Sequence, residues 1–85
     1  MENPCCIILG LKVNHRNANA PRLQEALTKY GCNIRLRVGL HETSETYCSD
    51  EGLILLQIAG GMEVAEKMLA DLNALEGVSV KMMTL

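Results

Sequence analysis

Apolar residues fall along this chain in groups whose internal spacing differs, and each spacing predicts an element. Cys5 to Val13 (CCIILGLKV) is short, β-branched at its centre and bounded by Pro4 and Asn14, which predicts a strand. Ile7, Leu9, Leu11 and Val13 fall on one face of it, and Cys6, Ile8, Gly10 and Lys12 on the other. Asn33 to Leu40 alternates strictly: Ile34, Leu36, Val38 and Leu40 point one way, Arg35, Arg37 and Gly39 the other. Gly52 to Ala59 is almost continuously apolar, as expected of a central strand covered on both faces. Val78 to Leu85 (VSVKMMTL) predicts a last strand.

Two stretches carry helical spacing instead. Asn14 to Ala18 reads as a polar loop, with Asn19 placed to cap a helix and Pro21 in its first turn. Leu23, Ala26, Leu27 and Tyr30 then form one stripe, and Gly31 is positioned as a left-handed cap. After the Gly60-Gly61 break, Met62 to Leu75 predicts a second helix with Ala65, Met68, Leu72 and Leu75 on its stripe. Glu63 and Glu66 sit near its start, where the helix dipole favours acids, and Gly77 ends the segment. The eleven residues His41 to Glu51 are polar and read as a loop.

The order is strand, helix, strand, strand, helix, strand, in two halves of similar length. The α+β solution that fits is a ferredoxin-like βαββαβ sandwich: a four-stranded antiparallel sheet with both helices on one face. All 85 residues are accounted for as one domain, 1–85. A chain this short buries only about 60–65% of its unfolded surface, so its core is modest.

Helices on one face leave the other open. Simple alternation puts Ile8, Lys12, Arg35, Arg37, Lys81 and Met83 there, with either Leu53 and Leu55 or Ile54 and Leu56 from the third strand. A partner covering about four aliphatic side chains at roughly 1.5–3 kcal/mol each gains about 6–12 kcal/mol. Association costs an estimated 4–15 kcal/mol. The ranges overlap, so the face favours a homodimer or homotetramer without dictating one.

Composition narrows the partners. Apolar residues make up 48% of the chain, yet Tyr30 and Tyr47 are its only aromatics, so the core is aliphatic. The net charge of −2 argues against a general nucleic-acid binder. A sheet that reads RNA stacks bases on aromatics of its central strands, and neither tyrosine lies on one. The run Leu53 to Ala59 is too short to span a bilayer. The first residues lack the basic and small-residue signature of a secretory leader, so a cytoplasmic location is expected. There the thiols of Cys5, Cys6, Cys32 and Cys48 are expected reduced.

Candidate chemistry is sparse. His41 and Cys48 flank the long loop and form a candidate pair for a soft or borderline metal, with His15 or a symmetry mate completing the shell. Two exposed loop histidines and one ordinary cysteine are the favoured account of the same residues. A Cys48–His41 nucleophile would need a deep pocket and an oxyanion hole that nothing in the sequence marks. Glu42, Glu45, Asp50 and Glu51 do not have calcium-loop spacing. Gly60-Gly61 matches neither phosphate-binding glycine motif, so a tight turn explains both glycines. No motif names a cofactor, and no catalytic residue is assigned; the chain is read as a non-enzyme.

The segments APRLQEALTKYGCNIRLRVGL, LRVGLH, GLILLQIAGG and MLADLNALEGVSVKMM together resemble a family. They are similar to the small stand-alone proteins called iron-only hydrogenase system regulators, and to ACT-like regulatory domains. The resemblance runs from about Ile7 to Met83. It implies a ferredoxin-like fold related to ACT domains and to the C-terminal domain of nickel-responsive regulators, dimers or higher oligomers, and a regulatory role. The first strand–helix turn, NHRNANAP, lacks the Asp and Gly of amino-acid-binding ACT domains. Of the His-any-His and Cys set of the nickel regulators, only His41 and Cys48 match. On this reading a small effector or protein partner would meet Asn14, His15 and Asn19 at the first turn and Arg35 and Arg37 on the subunit face.

Overall fold

The computed structural model describes residues 6–14, 16–40 and 52–85. Its elements run β1 (Ile7–Val13), α1 (Arg16–Lys29), a 3-10 turn (Gly31–Asn33), β2 (Ile34–Leu40), β3 (Gly52–Ile58), α2 (Met62–Asn73) and β4 (Val78–Thr84). The four strands form one antiparallel sheet in the order β2-β3-β1-β4, so β1 and β3 are central and β2 and β4 are edges. This is the ferredoxin-like arrangement expected from the sequence.

The core lies between one face of the sheet and the two helices. Ile7, Leu9, Leu11 and Val13 of β1 are buried, as are Leu56 and Ile58 of β3 and Val78 and Val80 of β4. Leu23 and Leu27 of α1 and Ala65, Met68 and Leu72 of α2 close over them in the same cluster. The α2 residues recur at three and four positions, which keeps them on one side of that helix. Asn73, at the end of α2, donates from its amide to the Val80 carbonyl (3.3 Å), and its oxygen accepts from the Val80 N–H (2.9 Å). A helix side chain thus occupies backbone groups that an edge strand would otherwise offer to another strand.

Three local expectations are corrected. Helix α1 begins at Arg16, within the stretch read as a loop, so Pro21 is its sixth residue and Asn19 is inside it rather than at its cap. Gly31 is not left-handed; it opens the 3-10 turn, in which Asn33 N–H donates to the Tyr30 carbonyl (2.8 Å). Helix α2 ends at Asn73, two residues before Leu75, and the chain then turns through a left-handed Gly77 (φ 79°). Between-strand residues 41–51 lie outside the described residues.

Candidate functional site

The open sheet face differs from the one alternation predicts, and a single bulge is the cause. Ile34 pairs with Ile58 and Leu36 with the adjacent Gln57, so two steps along β2 match one along β3. Arg35 is the extra residue. A bulge of this kind inverts the strand's two faces beyond it. Ile34 therefore packs on the core, while Leu36 and Val38 turn to the open face. Arg37 goes to the helix side, where its guanidinium donates to the Gln24 side-chain oxygen on α1 (3.0 Å). Arg37 is thus lost from the open face, where Leu36 and Val38 stand instead.

The pairing registers lay out this face as rows across the sheet. One row runs Leu36, Gln57, Ile8, Met83; the next Val38, Leu55, Gly10, Lys81; the third has Leu53, Lys12 and Ser79, with Leu40 paired to Leu53. Leu36, Val38, Leu53, Leu55 and Met83 are each between 43% and 55% exposed, which marks an uncovered apolar surface rather than scattered side chains. The same values correct the reading of β3 as covered on both faces: its apolar run has Leu56 and Ile58 inward and Leu53 and Leu55 outward. Leu55 leans over Gly10, its Cδ2 standing 3.7 Å from where a Cβ on Gly10 would lie. The two lysines are confined to the β1–β4 half. No Asp or Glu occupies a register position on this face.

The strand–helix corners are built in matching pairs. At the first, Asn14 N–H donates to the Gly77 carbonyl (2.7 Å), and the Asn19 amide donates to the Asn14 carbonyl (2.6 Å). At the second, Ala59 N–H donates to the Asn33 carbonyl (2.8 Å), and the Asn33 amide donates to the Ala59 carbonyl (3.1 Å). Each asparagine packs against a left-handed glycine whose missing side chain makes the room: a methyl group on Gly77 would collide with the Asn19 amide, and one on Gly60 would come within 2.7 Å of the Asn33 amide. Asn14 and Asn19, singled out as ligand contacts, thus have a structural task in tying β1 to the turn before β4. Asn33, which the sequence reading did not single out, does the same work at the other corner. His15, the third residue of that set, lies outside the described residues, as do His41 and Cys48.

The helix layer carries a surface cluster. The Tyr30 hydroxyl donates to the Asp71 carboxylate, and the Lys29 ammonium lies 3.4 Å from the same oxygen and 5.2 Å from the Tyr30 ring centre. The tyrosine bond, then the lysine, holds the Asp71 carboxyl below its ordinary range. The same carboxylate pushes the Tyr30 phenol and the Lys29 ammonium up, its hydrogen bond being the largest cause for each. Beside it, Arg22, Glu25, Ala26, Lys29 and Leu75 line an open groove of about 470 Å³. Cys6 and Cys32 are thiols, the first half-buried and the second exposed, and no three His, Cys, Asp or Glu side chains among the described residues are grouped to hold a metal ion. No helix among them is long and apolar enough to cross a membrane.

Order, pairing and core together define a small α+β sandwich of the ferredoxin-like class. No protein-family model matches the chain, and no curated protein matches it by sequence. Solved structures do match. An uncharacterized protein, TM1266 from Thermotoga maritima, is 24% identical and superimposes with a TM-score of 0.78, over 94% of this chain and 95% of its own. CPII, a nitrogen regulatory PII-like protein from Thiomonas intermedia K12 bound to ADP, AMP and bicarbonate, is 13% identical with a TM-score of 0.55, over 94% of this chain and 93% of its own. Both likenesses establish the fold. Neither supports the hydrogenase-system family to which the sequence segments are similar.

Proposed function

We propose that this chain is a cytoplasmic, non-catalytic, single-domain regulatory module that associates with itself and binds a small effector or a protein partner. The observation that carries the reading is the open sheet face, with Leu36, Val38, Leu53, Leu55 and Met83 outward. Such a surface is stabilised by cover, and an associating protein supplies it. The whole-length likeness to a PII-like regulatory protein bound to nucleotides and bicarbonate supports a small effector as the thing sensed. The effector would meet the first strand–helix turn at Asn14, His15 and Asn19 and the arginines Arg35 and Arg37 of β2. A link to an iron-only hydrogenase system rests on the sequence resemblance alone.

Native mass spectrometry of the reduced protein, purified without chelators or an affinity tag, tests this directly. The expected result is an oligomer carrying a copurified small molecule, or taking up added ADP, AMP or bicarbonate. A bound metal ion that is lost on replacing His41 or Cys48 would transfer the reading to a metal-sensing domain. An oligomer that binds none of these, but retains a protein partner, would leave an assembly accessory. A bare monomer would overturn the associating module.

A further inference from the structure

We infer that the open face pairs with the open face of a second copy, about a two-fold axis that runs parallel to the strands between β1 and β3. This rests on the reading of the chain as an associating module and names the partner and the geometry.

The argument starts from the rows described above. A two-fold axis along the strands, midway between β3 and β1, lays β3 over β1 of the second copy and β2 over its β4. Each row then meets the same row reversed. Leu55 of each copy, which leans over its own Gly10, comes to lie beside Leu55 of the other near the axis, apolar on apolar. Leu36 meets Met83, apolar on apolar. Lys81 lies along Val38 and Lys12 along Leu53, so each lysine stem covers an aliphatic side chain while its ammonium reaches the rim. The other in-plane axis, perpendicular to the strands through the Gly10 row, stacks Lys81 on Lys81. That axis is disfavoured by like charge, and the face has no acid at a register position to relieve it.

Size agrees. Four seven-residue strands at ordinary spacing and rise present a footprint of roughly 400 Å². Side-chain relief raises the accessible area above that footprint, towards the roughly 800 Å² per partner of a standard interface. Two sheets so paired make an aligned sandwich with helices outermost on both sides. Growth by edge pairing is hindered on the β4 side, where the Asn73 amide already holds the Val80 N–H and carbonyl.

Two measurements test the pairing. Sedimentation equilibrium of the whole chain is expected to give an assembly built of pairs of the 9.3 kDa chain, and Leu55→Lys is expected to halve its mass while leaving the circular dichroism unchanged. The second measurement does not depend on how well that variant folds. In V38C/K81C, with the native cysteines replaced by serine, a bis-thiosulfonate cross-linker with a two-carbon spacer is expected to join position 38 of one chain to position 81 of another in closed pairs. Facing sheets stand about 10 Å apart, beyond a direct disulfide but within reach of two cysteine side chains and a short link. Within one chain these positions sit at opposite edges of the sheet, about 14 Å apart with their side chains parallel, too far for the same link. A wild-type monomer at about 100 μM, an oligomer without the 38–81 link, or an open ladder of linked chains would overturn the inference. A pair that forms as described but copurifies with nothing would defeat the effector reading and leave this interface standing.

Discussion

The two faces of the sheet are made from the same kinds of side chain and have opposite fates. On the helix side, Leu9, Leu11 and Leu56 are fully buried among Leu27, Met68 and Leu72. On the open side, Leu53 and Leu55 stand between and beside those same residues along the same strands, about half exposed. Hydrophobic character alone does not decide which face becomes the core. What decides is where the two helices dock, and α2 brings Ala65, Met68 and Leu72 to one face only. The lesson is that a strand apolar on both sides can be a core strand on one side and an unfilled contact on the other.

Truncating each face separates these roles most sharply. Leu9→Ala opens a cavity in packed surroundings and is expected to cost about 2–5 kcal/mol in urea denaturation. Leu53→Ala is expected to stay within about 0.5 kcal/mol in dilute samples, where the chain stands alone. Its cost should then grow with protein concentration, because a covered face adds mass-action stability. Equal costs at both positions, independent of concentration, would erase the distinction between the faces.

The glycines give a middle-sized contrast. Gly77 combines a left-handed backbone with an Asn19 amide in the space a side chain would need. Gly77→Ala is therefore expected to cost about 1–3 kcal/mol. Gly31 has open space around it and is not left-handed. Gly31→Ala is expected to be neutral or to stabilise by up to about 1 kcal/mol, read from the same denaturation midpoints.

The smallest effect concerns the exposed Lys29–Tyr30–Asp71 cluster. Asp71 is held below its ordinary value of 3.8, so its contribution to stability is present above that pH and lost as the pH falls through the lower folded value. Lys29 is held above 10.5, so its contribution is present below that pH and lost as the pH rises through the higher folded value. Tyr30 is likewise held above 10.0, so the cluster's contribution should be flat only between 3.8 and 10.0. In Asp71→Asn, the Tyr30 phenol should titrate closer to its ordinary 10.0, which ultraviolet absorbance follows. An unchanged Tyr30 titration would mean that the hydroxyl–carboxylate bond is absent in solution.

Much of the fold is legible in the sequence because period-2 and helical spacing are printed along it: β1, both helix stripes and the ferredoxin-like order follow from apolar spacing and glycine breaks. The phase of β2 is not legible. IRLRVGL alternates faithfully through the bulge, and spacing along one strand carries no signal about how its neighbour is paired. The same blindness made β3 look covered on both faces, since periodicity reports apolar surface and not what lies against it. Asn19 and Pro21 resemble helix-entry signals, but the Asn19 amide is turned back to the Asn14 carbonyl instead of capping. At the candidate site, Asn14 and Arg37 could be picked out by type, yet their partners, Gly77 and Gln24, come from other elements. Asn33, built into the second corner, had only its place beside Gly31 and Cys32 to mark it.

Arg35 shows how much of a surface can hang on pairing alone. Bulged out of the ladder, it lets the edge strand show leucine and valine outward and turn Arg37 against α1. Taken into the ladder, the same letters in the same order would show arginines outward and press leucine and valine inward. An apolar exterior and a cationic one are therefore a single step of register apart, with no change in composition at all. In descent, a substitution that merely relaxes the bulge can exchange one for the other without replacing the side chains that make either.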